Sequence, residues 1–242
     1  MTAQESQRSR MPGGDERSSP PGVFLRAVLI DVDGTLIDSN EAHARAWADI
    51  LRNHGWADIT WQQILPLIGM GGDKLLPEIT GVDIESPRGK ALAKERTDHF
   101  LVYYAPTLRA FPRVPEFFEA LRSRGLMRVI ATSAGDEELD ELLGVAGVAD
   151  LVSRETTSDD AESSKPDPDI IHAALAKAGV HAREAVMIGD TPYDVAAAKR
   201  AGVKVIAVRS GGWGDAALGA ADAIYADVAE LLDRIEDSPL RR

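Results

Sequence analysis

The chain has 242 residues, of which 44% are apolar, 27% are charged and none is cysteine, and its formal net charge is −12. That length supports one large core or two modest ones, the acidic balance argues against a nucleic-acid partner, and no apolar run is long enough to span a membrane. Without cysteine there is no disulfide, thiol nucleophile or thiolate metal site, so any metal must be held by oxygen or imidazole, which makes Mg²⁺ the leading cation.

Residues 1–22 are rich in Ser, Pro, Gly and charge and are expected to form a disordered, dispensable tail. The polar start also lacks the apolar stretch of a secretory signal, so the expected location is cytoplasmic. The run AVLI, Ala27 to Ile30, is short and continuously apolar, as in a strand covered on both faces. It leads into DVDGTLIDS, where turn chemistry accounts for Gly34 and for Asp33 but leaves Asp31 unexplained. An ionised side chain at the end of a buried strand is costly unless something pairs with it, and open α/β sheets bind ligands at such ends.

NEAHARAWADILRNHG then places His43, Trp47, Ile50, Leu51 and His54 at helical spacing, with Gly55 as a stop. Helical pieces follow in WQQILPLIG, in DKLLPEITG and from Pro87 to Tyr104, with no strand among them. From Phe111 onward strands and helices alternate: helix Pro115 to Arg124, strand LMRVIA, helix Glu137 to Leu143, short strand DLVS, helix Pro168 to Ala178, strand AVMI, helix Tyr193 to Ala201, strand VKVIAV and a last helix after Asp227. The pattern predicts an α/β fold with a doubly wound parallel sheet, built from residues 23–38 and 112–242 and interrupted by a helical insertion over 39–111. The expected hinges are Asp38 to Asn40 and Arg109 to Pro115.

Strand AVMI is followed by GDTPYD, which puts Asp190 and Asp194 at the next strand end. Helix capping accounts for one of the two. If that strand lies beside the first, Asp31, Asp33, Asp190 and Asp194 converge, and each like-charge pair at about 4 Å repels by about 4 kcal/mol at an effective dielectric of about 20. A divalent cation relieves that conflict, and Mg²⁺ commonly shares its coordination sphere with substrate phosphate. Thr132 and Ser133 end strand LMRVIA, and Lys165 lies in SSKPDPDI. Singly they read as a turn residue and a solvated lysine. Together they offer a hydroxyl and an ammonium to a phosphoryl group.

DVDGT, VIATS, SKPDPD and GDTPYD, in that order and in those strand contexts, resemble the four motifs of the haloacid dehalogenase superfamily, with a helical cap between the first and second. The resemblance covers nearly all of the chain after the tail and implies a Rossmann-like core carrying a Mg²⁺-dependent phosphatase site for a small phosphorylated metabolite. It implies Asp31 as the nucleophile that forms an aspartyl-phosphate and Asp33 as general acid/base and as a metal ligand through its backbone carbonyl. It also implies Asp31, Asp190 and Asp194 around the metal, and Thr132 and Lys165 on the phosphoryl oxygens.

EAHARAW further resembles the start of the cap in β-phosphoglucomutase, where a histidine at the place of His43 assists the acid/base step; a packed helix histidine is the alternative. Gly72 stands where the mutases carry a phosphate-binding arginine, and GDTPYD lacks their Glu-Asp, which favours hydrolysis over isomerisation. Lys74, in GMGGDK, is either a solvated surface lysine or a contact to the leaving group. A silent, phosphate-sensing version of the fold could dispense with Asp31, Asp33 or Lys165, and all three are present.

Overall fold

The computed structural model describes residues 24–241, so the tail expected over 1–22 lies outside the described residues. Five parallel strands form one sheet in the order β2-β1-β3-β4-β5, where β1 is Ala27–Ile30, β2 Met127–Ile130, β3 Ala185–Gly189, β4 Lys204–Val208 and β5 Ala223–Tyr225. Alternation explains the continuous apolar runs. Val28 and Ile30 face one core with Ile188 and Ile206, while Ala27 and Leu29 face the other with Met187 and Val205. The central strands β1 and β3 are thus buried on both sides along their whole length, as a parallel sheet flanked by helices requires.

Four helices follow β1: α1 (Asn40–Asn53), α2 (Trp61–Ile64), α3 (Gly72–Thr80) and α4 (Pro87–Tyr103). They bury Trp47, Ile50, Leu51, Ile64, Leu75 and Leu92 in a core of their own. His54 departs from the expected apolar face: it is the exposed C-terminal cap of α1, and its ring meets Glu95. The two segments that join these helices to the sheet run side by side, with Asp38 N–H donating to Arg109 O at 3.1 Å and Phe111 N–H donating to Leu36 O at 2.9 Å.

The sheet layer continues with α5 (Val114–Ser123), α6 (Asp136–Ala146), α7 (Asp169–Ala178), α8 (Pro192–Arg200), α9 (Asp215–Leu218) and α10 (Val228–Asp233). The short strand expected at DLVS does not form. Residues Ala149–Leu151 make a 3₁₀ turn, and the following chain runs beside β2 as an isolated bridge between Val129 and Arg154, with Ser153 N–H donating to Arg128 O and Ile130 N–H to Arg154 O, rather than as a strand. Strand β5 and the one-turn α9 are additions to the expected pattern; each is too short to carry a periodic signal.

Register sets the site. Ile30 of β1 pairs with Ile130 of β2 on one side and Ile188 of β3 on the other. The chain that leaves these three strands therefore emerges at one edge: Asp31 after β1, Thr132 after β2 and Asp190 after β3. In an open sheet of order 2-1-3-4-5 this edge, where the connections diverge, is the place for a ligand.

Candidate active site

Asp31, Asp190 and Asp194 are all buried, and one carboxylate oxygen from each lies within 4.8 Å of the others. Lys165, 1% exposed, reaches between them, with Nζ 2.5 Å from Asp31 Oδ1 and 2.7 Å from Asp194 Oδ1. Thr35 Oγ1 lies 3.3 Å from Asp31 Oδ2 and 3.2 Å from Asp190 Oδ1, and Asn40 Nδ2 donates to Asp190 Oδ2 at 3.0 Å. Asp194 is fixed from below by the N-terminus of α8: its Oδ2 accepts from Thr191 N–H at 3.0 Å and Thr191 Oγ1 at 2.6 Å. The N-cap of α8 is Thr191 and not an aspartate; Asp194 is its capping-box partner in the first turn of the helix, so it serves the helix start and the site together.

The backbone is shaped around these carboxylates. Gly34 has φ +73°, and a Cβ there would collide with the Asp190 carboxylate and the Asn40 amide. A Cβ on Gly211 would likewise collide with Asp190. Glycine is required at the first position for its left-handed backbone and at both for the close approach.

Burial is the main cause that raises Asp31, which is pushed up to about 7; Lys165 opposes the rise, and Asp194 and Asp33 add to it. Asp190 is raised well above the usual carboxylate range by burial and by the charges of Asp31 and Asp194. Burial acts to lower Lys165, but the facing Asp194 and Asp31 outweigh it and hold the ammonium charged. Three buried carboxylates against one ammonium leave a net deficit of positive charge. That deficit, in an all-oxygen donor set, fits a hard divalent cation.

Asp33 is turned elsewhere. Its carboxylate accepts from Ser39 Oγ at 2.5 Å and from His43 Nε2 at 2.7 Å, outside the three-carboxylate cluster. Burial works against its charge, yet His43 and Ser39 outweigh burial and hold it below the usual range. Behind His43, its Nδ1 lies 2.7 Å from Arg96 Nη2, and Arg96 Nη1 is ion-paired with Glu138. Thr97 Oγ1 also donates to Glu138 Oε1, at 3.0 Å. His43 stacks on Phe100, with ring centroids 4.0 Å apart. It is therefore both a packed helix residue and a partner of Asp33.

Above the strand ends a cavity of about 440 Å³ opens between the sheet edge and helices α1, α3 and α4. Asp31, Asp33, Thr132 and Ser133 face it from the sheet side and His43 from α1. Thr132 is buried with its Oγ1 accepting from Ala134 N–H at 3.1 Å, and Ser133 Oγ donates to Gly69 O at 3.4 Å. Lys74 does not join them. Its ammonium donates to Ser164 O at 2.8 Å and Asp167 Oδ2 at 2.7 Å, so the expected contact to a leaving group is replaced by a tie to the loop that carries Lys165. The acidic Asp167, on the far side of that loop, draws the lysine away from the cavity.

Arg96, Glu138, Asn40 and Ser164 were not legible as site residues. Arg96 and Glu138 sit in charge-rich helices where solvated side chains are the rule, and only the fold brings them together.

Residues 28–208 match the family described as haloacid dehalogenase-like hydrolase. The chain belongs to that family. Among curated relatives it is 32% identical, over 219 residues, to a phosphoglycolate phosphatase of Yersinia pseudotuberculosis, covering 87% of this chain and 93% of that one. It is 26% identical, over 187 residues, to an N-acetylmuramic acid 6-phosphate phosphatase of Pseudomonas aeruginosa, covering 77% of this chain and 83% of the other. A crystal structure of a hydrolase from Pseudomonas syringae superposes with a TM-score of 0.80 at 28% identity, covering 88% of this chain and 98% of that one. With phosphatases at this level of identity, the haloacid dehalogenase-like chain is a phosphoric monoester hydrolase. Among the described residues no helix is long and apolar enough to cross a membrane.

Proposed function

We propose that the protein is a Mg²⁺-dependent phosphatase of small phosphorylated metabolites that works through an aspartyl-phosphate on Asp31. The observation that carries this reading is the Asp31 carboxylate, which ends β1 beside Lys165 and opens onto the cavity. Asp31 attacks phosphorus as the ester P–O bond breaks, and the leaving oxygen takes a proton from Asp33, which draws that proton from solvent as the negative charge of the arriving phosphate raises its affinity for it. Water then attacks the aspartyl-phosphate, its proton passes to Asp33, and phosphate leaves. Asp31, Asp190, Asp194 and the Asp33 carbonyl would hold the cation, which supplies charge neutralisation for the phosphoryl oxygens and lets Asp31 act ionised. Lys165 and Thr132 hold phosphoryl oxygens.

The helices of 39–111 act as a cap over the sheet edge, with the paired segments at Asp38 and Arg109 as its hinge. Isomerisation would need a fixed cation in the cap to grip a second phosphate. Gly72 offers none, and the Lys74 ammonium is already tied to Asp167. The test is phosphate release from a panel of phosphate esters, with chelator, with Mg²⁺ and with Asp31→Asn. Turnover that persists in excess EDTA or in Asp31→Asn would overturn it. Conversion of β-glucose 1-phosphate to glucose 6-phosphate without inorganic phosphate, seen by ³¹P NMR, would replace hydrolysis with isomerisation.

A further inference from the structure

We infer that the leaving group accepted by this site is an alcohol without an anionic substituent, a neutral hydroxylated group with an apolar face. The inference rests on the phosphatase reading above and names the substrate class of the same site.

Beyond the place of the phosphoryl group, the cavity wall carries two cationic side chains among the described residues, Lys94 and Arg96. Each already faces a carboxylate of the chain, although Nε of Arg96 is buried without a hydrogen-bond partner and the Lys94 pair is exposed. Arg96 is committed to Glu138 and His43, and its guanidinium lies 5.4 Å from the centroids of both Trp47 and Phe100. Its charge is thus balanced by a carboxylate that is 3% exposed. Lys94, at the rim, sends its ammonium one turn along α4 to both oxygens of Asp98, at 3.0 and 3.1 Å. Lys74, which could have served, points into the Ser164 and Asp167 loop.

The acidic side is in excess. Asp73, Asp159 and Glu162 also line the cavity. Asp73 has Lys74 only at 3.8 Å, and among the described residues Asp159 and Glu162 pair with no cation. A carboxylate or second phosphate on the substrate would enter this field with no cation that is not already paired with a carboxylate, and like-charge juxtaposition of that kind is strongly disfavoured. The remaining wall is apolar: Trp47, Ile68, Leu75 and Ile84 offer surface to a carbon skeleton. Ser133, Thr97 and Ser158 add side-chain hydroxyls to the same wall.

The experiment uses two pairs of probes that differ only in carboxylate against hydroxymethyl: 3-phosphoglycerate with glycerol 3-phosphate, and 2-phosphoglycolate with 2-hydroxyethyl phosphate. Binding to the full-length Asp31→Asn protein with Mg²⁺ is measured by calorimetry, and kcat/KM is measured on the wild type. The neutral member of each pair should bind and turn over at least about tenfold better. The ratio should shrink as salt rises, since the Debye length falls from about 30 Å at 0.01 M to about 8 Å at 0.15 M. It should also shrink in Glu162→Lys. Equal or tighter binding of the carboxylate members, or binding of none of the four probes, overturns the inference. Because binding is read without turnover, a neutral preference in a wild type that hydrolyses nothing would uphold the charge selection and sink only the phosphatase reading.

Discussion

Arg96 donates to His43 Nδ1 across 2.7 Å, and this single bond decides the tautomer of the histidine. A guanidinium has donors only, so Nδ1 must be the acceptor and the ring proton must sit on Nε2, where it is given to Asp33 Oδ1 at 2.7 Å. Glu138, from α6, anchors the far side of Arg96. Asp33 is thus oriented by a chain that crosses from the sheet edge to α1, on to α4 and back to the sheet layer.

Arg96→Met should break this chain in two measurable ways. It leaves the Glu138 carboxylate buried without its partner, which costs about 3–5 kcal/mol of stability, read from urea unfolding; adding Glu138→Leu should recover much of it. It also frees the His43 ring from its fixed tautomer. Turnover of alkyl phosphates, which need a proton on the leaving oxygen, should then fall more than turnover of an aryl phosphate, which does not. A uniform loss would make Arg96 structural only.

The two aspartates of the first motif should separate by role. Asp31→Asn should abolish the phosphoenzyme detectable by mass spectrometry of acid-quenched protein. Asp33→Asn should still accept phosphate from an aryl ester but lose about 10²-fold or more on alkyl esters. The different surroundings of the two carboxyls support the split: Asp31 faces Lys165, whereas Asp33 faces Ser39 and His43. Equal losses on both classes of ester in Asp33→Asn would remove its acid/base role.

Much of this was legible because local chemistry and topology agree. The apolar run Ala27–Ile30 followed by Asp31 could only be a buried strand that ends in charge, and the register of Ile30 with Ile188 then brings Asp190 to the same edge. What could not be read were partners chosen by packing. Lys74 looked free in a glycine-rich loop, yet Asp167, distant in sequence, claims it. Arg96 and Glu138 looked like any surface charges until α4 settled on α6. DLVS had strand composition but lies at the sheet edge past β2, where its first two residues are taken up by a 3₁₀ turn and only Ser153 bonds to the strand backbone, through Arg128 O.

Cation uptake should be coupled to pH with a defined sign. Asp31 is pushed up from its ordinary 3.8 to about 7, and Asp190 is also raised, so without a cation the folded protein holds protons that the unfolded chain has already lost. The unfolded state binds fewer protons across that window, and stability contributed by these groups falls as pH rises from about 4 to about 7. Mg²⁺ needs the ionised oxygens. Its binding should release protons in weak buffer near pH 6 and tighten as pH rises toward 8. Thermal unfolding with EDTA and with Mg²⁺ should therefore show the larger upward shift at pH 8 than at pH 5.5. A shift that is greatest at the lower pH would contradict the assignment of Asp31 and Asp190 as ligands.

Lys74 offers the sharpest separation between a contact to substrate and a contact to the machinery. Ser164, next to Lys165, is held by three bonds from the N-terminus of α3: Gly71 N–H donates to its Oγ at 3.0 Å, its own N–H donates to Asp73 Oδ2 at 3.1 Å, and Lys74 Nζ donates to its carbonyl at 2.8 Å. A catalytic group is only as well placed as the residues that support it, and small misplacements are costly to rate. Lys74→Met keeps the length of the stem while removing the donor to Ser164 and the partner of Asp167. It should lower kcat severalfold, and by the same factor for aryl, alkyl and sugar phosphates, because Lys165 serves the phosphoryl group common to all of them. A lysine that touched the leaving group would instead raise KM for some esters and spare others. Steady-state kinetics on three esters of different leaving group decides between these outcomes, and a loss confined to one of them would return Lys74 to the cavity.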